Sequence, residues 1–262
     1  LADAALTLCR RREVDPPWDL IAASSSWANV VDLVGGWFES SLSEDDGAAW
    51  DEIGETEEDL GLRLPWPVRE WFALVGGRSG VWHGIDEPIS LESLRVDRGE
   101  IVLSRGHQGI SCWSIKLSEL EKGGDQGVYH QLGGEEALVE PLRTFYCRLL
   151  LTQIATVYDP PAGLRECVQR WTRADGDLIR PILQENYQAV GGPRQLYGVG
   201  QLYRDPDTII VDDQLDSRVS GIAVRSEDAA DRARRLLGSE GWGEDRYRSC
   251  EREQWDPIPG WG

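Results

Sequence analysis

The chain has 262 residues, 40% apolar and 28% charged, proportions of a globular protein long enough for one large domain or one domain with a smaller unit. Asp and Glu outnumber Lys and Arg by 46 to 27, a net charge of −19. That balance argues against direct binding of nucleic acid or of an anionic membrane, which need basic patches, and it favours a basic partner.

No apolar run approaches a membrane span. The opening "LADAALTLCRRR" puts its apolar residues before Arg10, Arg11 and Arg12, the reverse of a secretory signal, so the expected compartment is the cytoplasm. A start at Leu and the lack of any Met point to a fragment or to a start codon read as Leu. Five cysteines (Cys9, Cys112, Cys147, Cys167, Cys250) and three histidines (His83, His107, His130) are scattered without metal-ligand spacing. Buried free thiols are expected, with no metal site.

Residues 18–50 hold four tryptophans, and Trp27, Val30, Val31, Val34 and Phe38 recur at helical steps. Gly35-Gly36 is expected to end that helix early. Residues 44–59, "EDDGAAWDEIGETEED", carry nine acidic residues and no basic one. The second half of this run reads as a helix leading into Leu60 and Leu62. In "LGLRLPWPVREWFALVGG" (60–77), Pro65 and Pro67 disfavour helix upstream, and Pro67 suits a first helical residue. Val68, Trp71, Phe72 and Val75 share one face, and Gly76-Gly77 offers a left-handed stop. The stretch thus reads as a short buried helix and needs no ligand to explain its glycines. No phosphate-binding or dinucleotide-binding glycine motif occurs in the chain, and no cofactor is expected.

"EIVLSR" (100–105) and "SCWSIKL" (111–117) read as strands around a "GHQG" turn, with Trp113, Ile115 and Leu117 on one face, and "GVYHQ" (127–131) reads as a third. Residues 138–157 read as a helix opened by Glu140 and Pro141, with Leu142, Phe145, Tyr146, Leu149, Leu150, Ile154 and Val157 as its core stripe. Asp159-Pro160-Pro161 marks a boundary. Beyond it, Leu164, Cys167, Val168 and Trp171 suggest a helix, and Ile182, Leu183, Tyr187 and Val190 another. Strands follow at 195–203, 208–212 and 218–224, then a helix capped by Ser226. The tail from Glu251 is rich in Pro and Gly. The order implies an α+β fold, organised as a Trp-rich helical segment (1–50), a core (51–160) and a C-terminal α+β segment (161–262).

The run "ETEEDLGLRLPWPVREWFALVGG" resembles the hallmark of the SUKH superfamily, which includes Smi/Knr-type fungal cell-wall regulators and many bacterial immunity proteins. Glu58, Leu60, Gly61, Leu64, Pro65, Arg69, Glu70, Trp71, Phe72, Gly76 and Gly77 carry the likeness. "IVLSRGHQGISCWSI" is similar to the family's strand, turn and Trp-bearing strand through Gln108, Gly109 and Trp113. His107 stands where the family commonly has Asn. The resemblance covers 50–160. It implies an antiparallel sheet flanked by helices, here with a C-terminal strand–helix extension. It also implies no shared catalytic residues, and in bacteria a cytosolic antidote that binds a toxin domain, often a nuclease.

An antidote to a nuclease must cover a surface built to hold phosphates, and a dense acidic patch mimics the phosphate backbone. The candidate partner-binding residues are Glu44, Asp45, Asp46, Asp51, Glu52, Glu55, Glu57, Glu58 and Asp59, with Trp82 and Gln108 as possible anchors at the sheet. Trp113 is expected in the core, and His83 and His107 in loops. One alternative is a regulatory adaptor of the same fold. Another is a metal-assisted hydrolase using Asp205, Asp207, Asp212 and Asp213. That reading is disfavoured because "DPDT" is ordinary turn chemistry and no catalytic motif is present.

Overall fold

The computed structural model describes residues 1–76, 86–106, 111–120, 126–132, 135–155, 168–170, 176–190, 201–213 and 218–237. The first third is helical: α1 (Ala2–Arg12), α2 (Trp18–Ala22), α3 (Ala28–Trp37), α4 (Trp50–Leu60) and α5 (Trp66–Val75), with a 3-10 turn at Glu44–Asp46. Strands β1 (Asp86–Pro88), β2 (Val96–Asp97), β3 (Glu100–Gly106) and β4 (Ser111–Lys116) follow. Then come α6 (Leu117–Leu120), β5 (Gly127–Leu132), β6 (Glu135–Pro141) and α7 (Leu142–Ala155). The last part comprises β7 (Val168–Arg170), α8 (Gly176–Asn186), β8 (Gln188–Val190), β9 (Leu202–Asp205), β10 (Thr208–Asp213), β11 (Arg218–Val224) and α9 (Glu227–Leu237). The fold is α+β, as the order of elements implied.

Two antiparallel sheets organise it. The first runs β1-β3-β4-β5-β6, with β2 also paired to β3; the second runs β7-β11-β10-β9-β8. Helix α7 lies between them, touching β5 and β6 on one side and β9, β10 and β11 on the other. That position explains why the helix is buried all round and not along one stripe: Arg148, Thr152 and Gln153 are buried with Leu142, Phe145, Leu149 and Ile154. Arg148 is held in the interior by Glu140, Nε to Oε1 3.2 Å, because a buried charge needs a counter-charge.

Strand β10 is apolar on both faces for the same reason. Ile209 and Val211 join Leu202 and Ala223 in the main core. Ile210 turns the other way, with Tyr203, Ile222 and Val224, onto Leu183 of α8 and Ala229 and Ala230 of α9. The main core therefore runs without a break from Leu6 of α1, through Trp27, Trp71, Trp113 and Tyr146, to Ala223 of β11.

Several expected elements differ. Gly35-Gly36 does not end α3, which continues to Trp37. Each interior glycine costs about 1 kcal/mol of helix propensity, and burial of Val34, Trp37 and Phe38 to 2% exposure or less outweighs it. Glu140 and Pro141 end β6; they do not open α7, which begins at Leu142 with its amide donating to Gln126 O at 2.9 Å. Where a helix through Val168 was expected, Val168–Arg170 is a strand paired with β11; Leu164, Cys167 and Trp171 lie outside the described residues. Helix α8 stops at Asn186, and Val190 belongs to a strand paired with β9, not to the helix. Leu117 begins α6 and does not extend β4. The strands at 100–105, 127–131, 208–212 and 218–224 form as expected, and Ser226 Oγ accepts the Ala229 amide at 3.1 Å as the cap of α9. The 107–109 part of the turn, the 159–161 boundary, residues 195–200 and the tail lie outside the described residues.

Candidate functional site

The acidic segment is positioned by the corner between α4 and α5. Gly61 ends α4 in the left-handed region, φ 66°, which glycine enters without strain. Its amide donates to Glu58 O at 3.1 Å, and the Leu62 amide to Glu57 O at 3.2 Å. Helix α5 starts one residue earlier than expected, at Trp66, so Pro67 is its second residue. Gly76 ends it in the right-handed region, φ −62°, not as a left-handed cap; Gly77 is outside the described residues. Upstream, Gly47 lies against α5 so closely that a Cβ would stand 1.9 Å from Ala73 O, while the Ala48 amide donates to Phe72 O at 2.9 Å. These contacts fix the 44–48 segment to the end of α5 and set the direction in which α4 leaves it.

Arg69 ties the corner together. Its guanidinium carbon stands 4.5 Å from the Trp66 ring centroid and 5.1 Å from that of Trp50. Nη2 donates to Asp15 Oδ1 at 2.9 Å, and Nε lies 3.2 Å from Glu57 Oε1. The next residue, Glu70, is fully buried and receives Arg10 Nε at 2.5 Å, Trp27 Nε1 at 2.9 Å and Arg143 Nη2 at 3.5 Å. Adjacent buried charges thus anchor α1, α3 and α7 to α5 through Glu70, and α4 with the 15–16 segment through Arg69. Both residues lie in the stretch that resembles the SUKH hallmark, a likeness that does not itself imply this work. The signal was available: an Arg-Glu pair inside an apolar helix must be neutralised by partners from elsewhere.

The nine acidic candidates separate into two groups. Asp46 accepts the Ser43 amide at 2.7 Å and caps the 3-10 turn. Glu57 faces inward, accepting the Leu64 amide at 2.7 Å as well as facing Arg69. Both are structural. Glu44, Asp45, Asp51, Glu52, Glu55, Glu58 and Asp59 are exposed. On α4 the exposed positions 51, 52, 55, 58 and 59 follow helical spacing and form one outward stripe, opposite Trp50, Ile53, Glu57 and Leu60. Glu52 also accepts the Ala49 amide at 2.9 Å at the start of the helix. Among the described residues, none of these seven carboxylates is in an ion pair with Lys or Arg. The last turn of α4 holds no basic residue, so Glu58 and Asp59 stand at the negative pole of the helix, where carboxylates are disfavoured.

Trp82, Gln108, His83 and His107 lie outside the described residues. Trp113 is buried, as expected, and stacks on His130 with ring centroids 4.5 Å apart. Three carboxylates of the hydrolase alternative face arginines: Asp205 pairs with Arg232 at 2.7 Å, Asp207 with Arg225 at 3.7 Å, and Asp212, fully buried, with Arg180 at 2.7 Å. Among the described residues, no three His, Cys, Asp or Glu side chains are grouped to hold a metal ion. Cys9, Cys112 and Cys147 are free thiols, of which only Cys147 is buried; the other two are half-buried, against the expectation of buried thiols throughout. No described helix is long and apolar enough to cross a membrane. No family model, no curated protein and no solved structure matches the chain.

Proposed function

We propose that this chain is a non-enzymatic binding protein of the SUKH type, a bacterial cytoplasmic antidote that covers a basic toxin domain with the acidic face of α4. The observation that carries the reading is the row of seven exposed carboxylates at Glu44, Asp45 and along α4, unpaired with Lys or Arg among the described residues. Apart from Asp51 and Glu52, which suit the first turn of α4, such a row adds nothing to the protein's own stability. Like charges at helical spacing cost roughly 0.2–0.5 kcal/mol per pair, and carboxylates at the helix C-terminus add to that cost. A basic partner turns the same charges into attraction and raises the rate of encounter. The sequence likeness supports the same role, and a nuclease face is a fitting target because it is built to hold phosphates.

The test is rescue by co-expression. The C-terminal domain of a large secreted protein encoded beside this gene is expressed in cells with and without this chain, and survivors are counted. Rescue together with a co-purifying complex is the expected outcome. Toxicity that this chain does not relieve would overturn the antidote reading and favour a regulatory adaptor.

A further inference from the structure

Helix α1 is held to the rest of the chain by few groups. Of residues 1–15 only Leu6 is buried, while Leu8 and Val14 are 47% and 54% exposed. The other holds on the helix are polar: Arg10 donates to Glu70 through Nε at 2.5 Å and Nη2 at 2.8 Å, and the Ser25 amide donates to Asp3 Oδ1 at 2.8 Å. Leu6 and Arg10, four residues apart, share one face of the helix. The joint behind α1 is strained. Glu13 ends the helix at φ 56°, in the left-handed region that disfavours any residue with a Cβ. Directly after it the chain is fixed again: Asp15 Oδ1 accepts Arg69 Nη2 at 2.9 Å, and Pro16 O accepts Trp50 Nε1 at 3.1 Å. Pro16 also favours extended backbone at Asp15. Residues 13 and 14 are thus a short hinge between a lightly docked arm and an anchored segment.

We propose that α1 is an exchangeable arm, traded between two copies of this chain so that Leu6 and Arg10 of each copy dock on the body of the other. Short, strained hinges favour such exchange, and opening this one lets Glu13 leave the left-handed region. An opened arm leaves a seat of defined chemistry. Glu70 loses the guanidinium that faces it most closely, and a buried carboxylate without its counter-charge is unfavourable. The group that matches the seat in full is the same Leu6 and Arg10 pair on a second copy's helix, which restores each docking contact of the closed form. The exchange does not depend on the antidote reading, because it uses neither the outward stripe of α4 nor a toxin.

The experiment uses the whole chain in two isotopic forms, ordinary and heavy-nitrogen, each carrying Asp3→Cys and Ser25→Cys. These positions already meet across the seam between arm and body, so a disulfide between them records which body α1 sits on. Equal amounts are mixed at high concentration, equilibrated and oxidised, and monomer and dimer are separated by size exclusion. Mass spectrometry then reads the linked peptides from positions 3 and 25. In the dimer about half of these pairs should join one ordinary and one heavy peptide, as random pairing of two copies gives, and in the monomer none should. A second measurement varies the hinge without the added cysteines. Glu13→Gly relieves the backbone strain and should lower the dimer fraction seen by light scattering, whereas Glu13→Val raises the strain and should increase it. Both variants lose the Arg63 pairing equally, so their difference reports the backbone alone. The proposal is overturned if no dimer forms up to the solubility limit, if the dimer holds only single-isotope pairs, or if the two hinge variants dimerise equally.

Discussion

Arg69 and Glu57 face each other across the corner between α4 and α5, Nε to Oε1 3.2 Å, with side-chain exposures of 5% and 14%. One turn of acidic sequence therefore contains two kinds of carboxylate. Glu57 belongs to the fold, and Glu58 beside it faces outward.

Their substitutions should separate in stability. Glu57→Ala leaves the Leu64 amide without its acceptor and Arg69 with one counter-charge fewer. A loss of about 2 kcal/mol is expected. Glu58→Ala should change stability by no more than about 0.5 kcal/mol. Urea denaturation of the two variants checks this, and equal losses would contradict the division of roles.

Glu70 is the more deeply committed carboxylate. Glu70→Gln removes the counter-charge shared by Arg10 and Arg143 and weakens the acceptor of Trp27 Nε1. The cost should be about 3 kcal/mol, read as a lowered Tm, with α1 losing hydrogen-exchange protection before the rest of the chain. A Tm equal to that of the parent would show that this cluster does not hold α1 in place.

Two glycine-to-alanine changes seven residues apart should act with opposite signs. At Gly47 the new methyl would stand 1.9 Å from Ala73 O, a backbone atom that cannot swing away. Gly47→Ala should destabilise by about 1–3 kcal/mol. At Gly54 the methyl meets nothing within 4 Å, and Gly54→Ala should stabilise by up to about 1 kcal/mol through helix propensity. Thermal melts of both variants decide the matter.

Thiol reactivity should follow burial. Burial pushes the Cys147 thiol up to about 11, so at pH 8 it is almost wholly protonated and also shielded. Cys112 is raised as well, by burial and then by Glu100 and Asp97, but remains half-buried. Iodoacetamide at pH 8 should label Cys112 slowly and Cys147 only after denaturant is added, as read by peptide mass spectrometry. Prompt labelling of Cys147 in the native protein would contradict its place in α7.

What could be read in the sequence was local. The proline in the first turn of α5, the core pair Trp113 and Ile115 in β4 and the cap at Ser226 are decided by neighbouring residues, and they were legible. The failures came where tertiary packing overrode local preference. Gly35-Gly36 stays helical because Trp37 and Phe38 are drawn into the core. Glu140 and Pro141 suit the opening of a helix over 138–157, yet strand pairing with β5 claims 138–141. Only the outer strands of the second sheet, β7 and β8, were hidden, by their brevity of three residues each. At the candidate site the acidic run was plain, but periodicity alone did not separate Glu57 and Asp46 from their exposed neighbours. That separation depends on Leu64 and Arg69 for Glu57 and on Ser43 for Asp46.

On the proposed function, the outward stripe of α4 draws in a basic partner. This attraction is tested most directly by the association rate constant with the co-purified toxin domain, measured by stopped flow over a range of salt for the parent and for the triple variant Glu55→Lys, Glu58→Lys, Asp59→Lys, which spares Glu57. Fast association that falls steeply with salt is expected for the parent, and for the variant an on-rate lower by at least about tenfold with a flattened salt dependence. An unchanged on-rate and salt slope in a folded variant would contradict it.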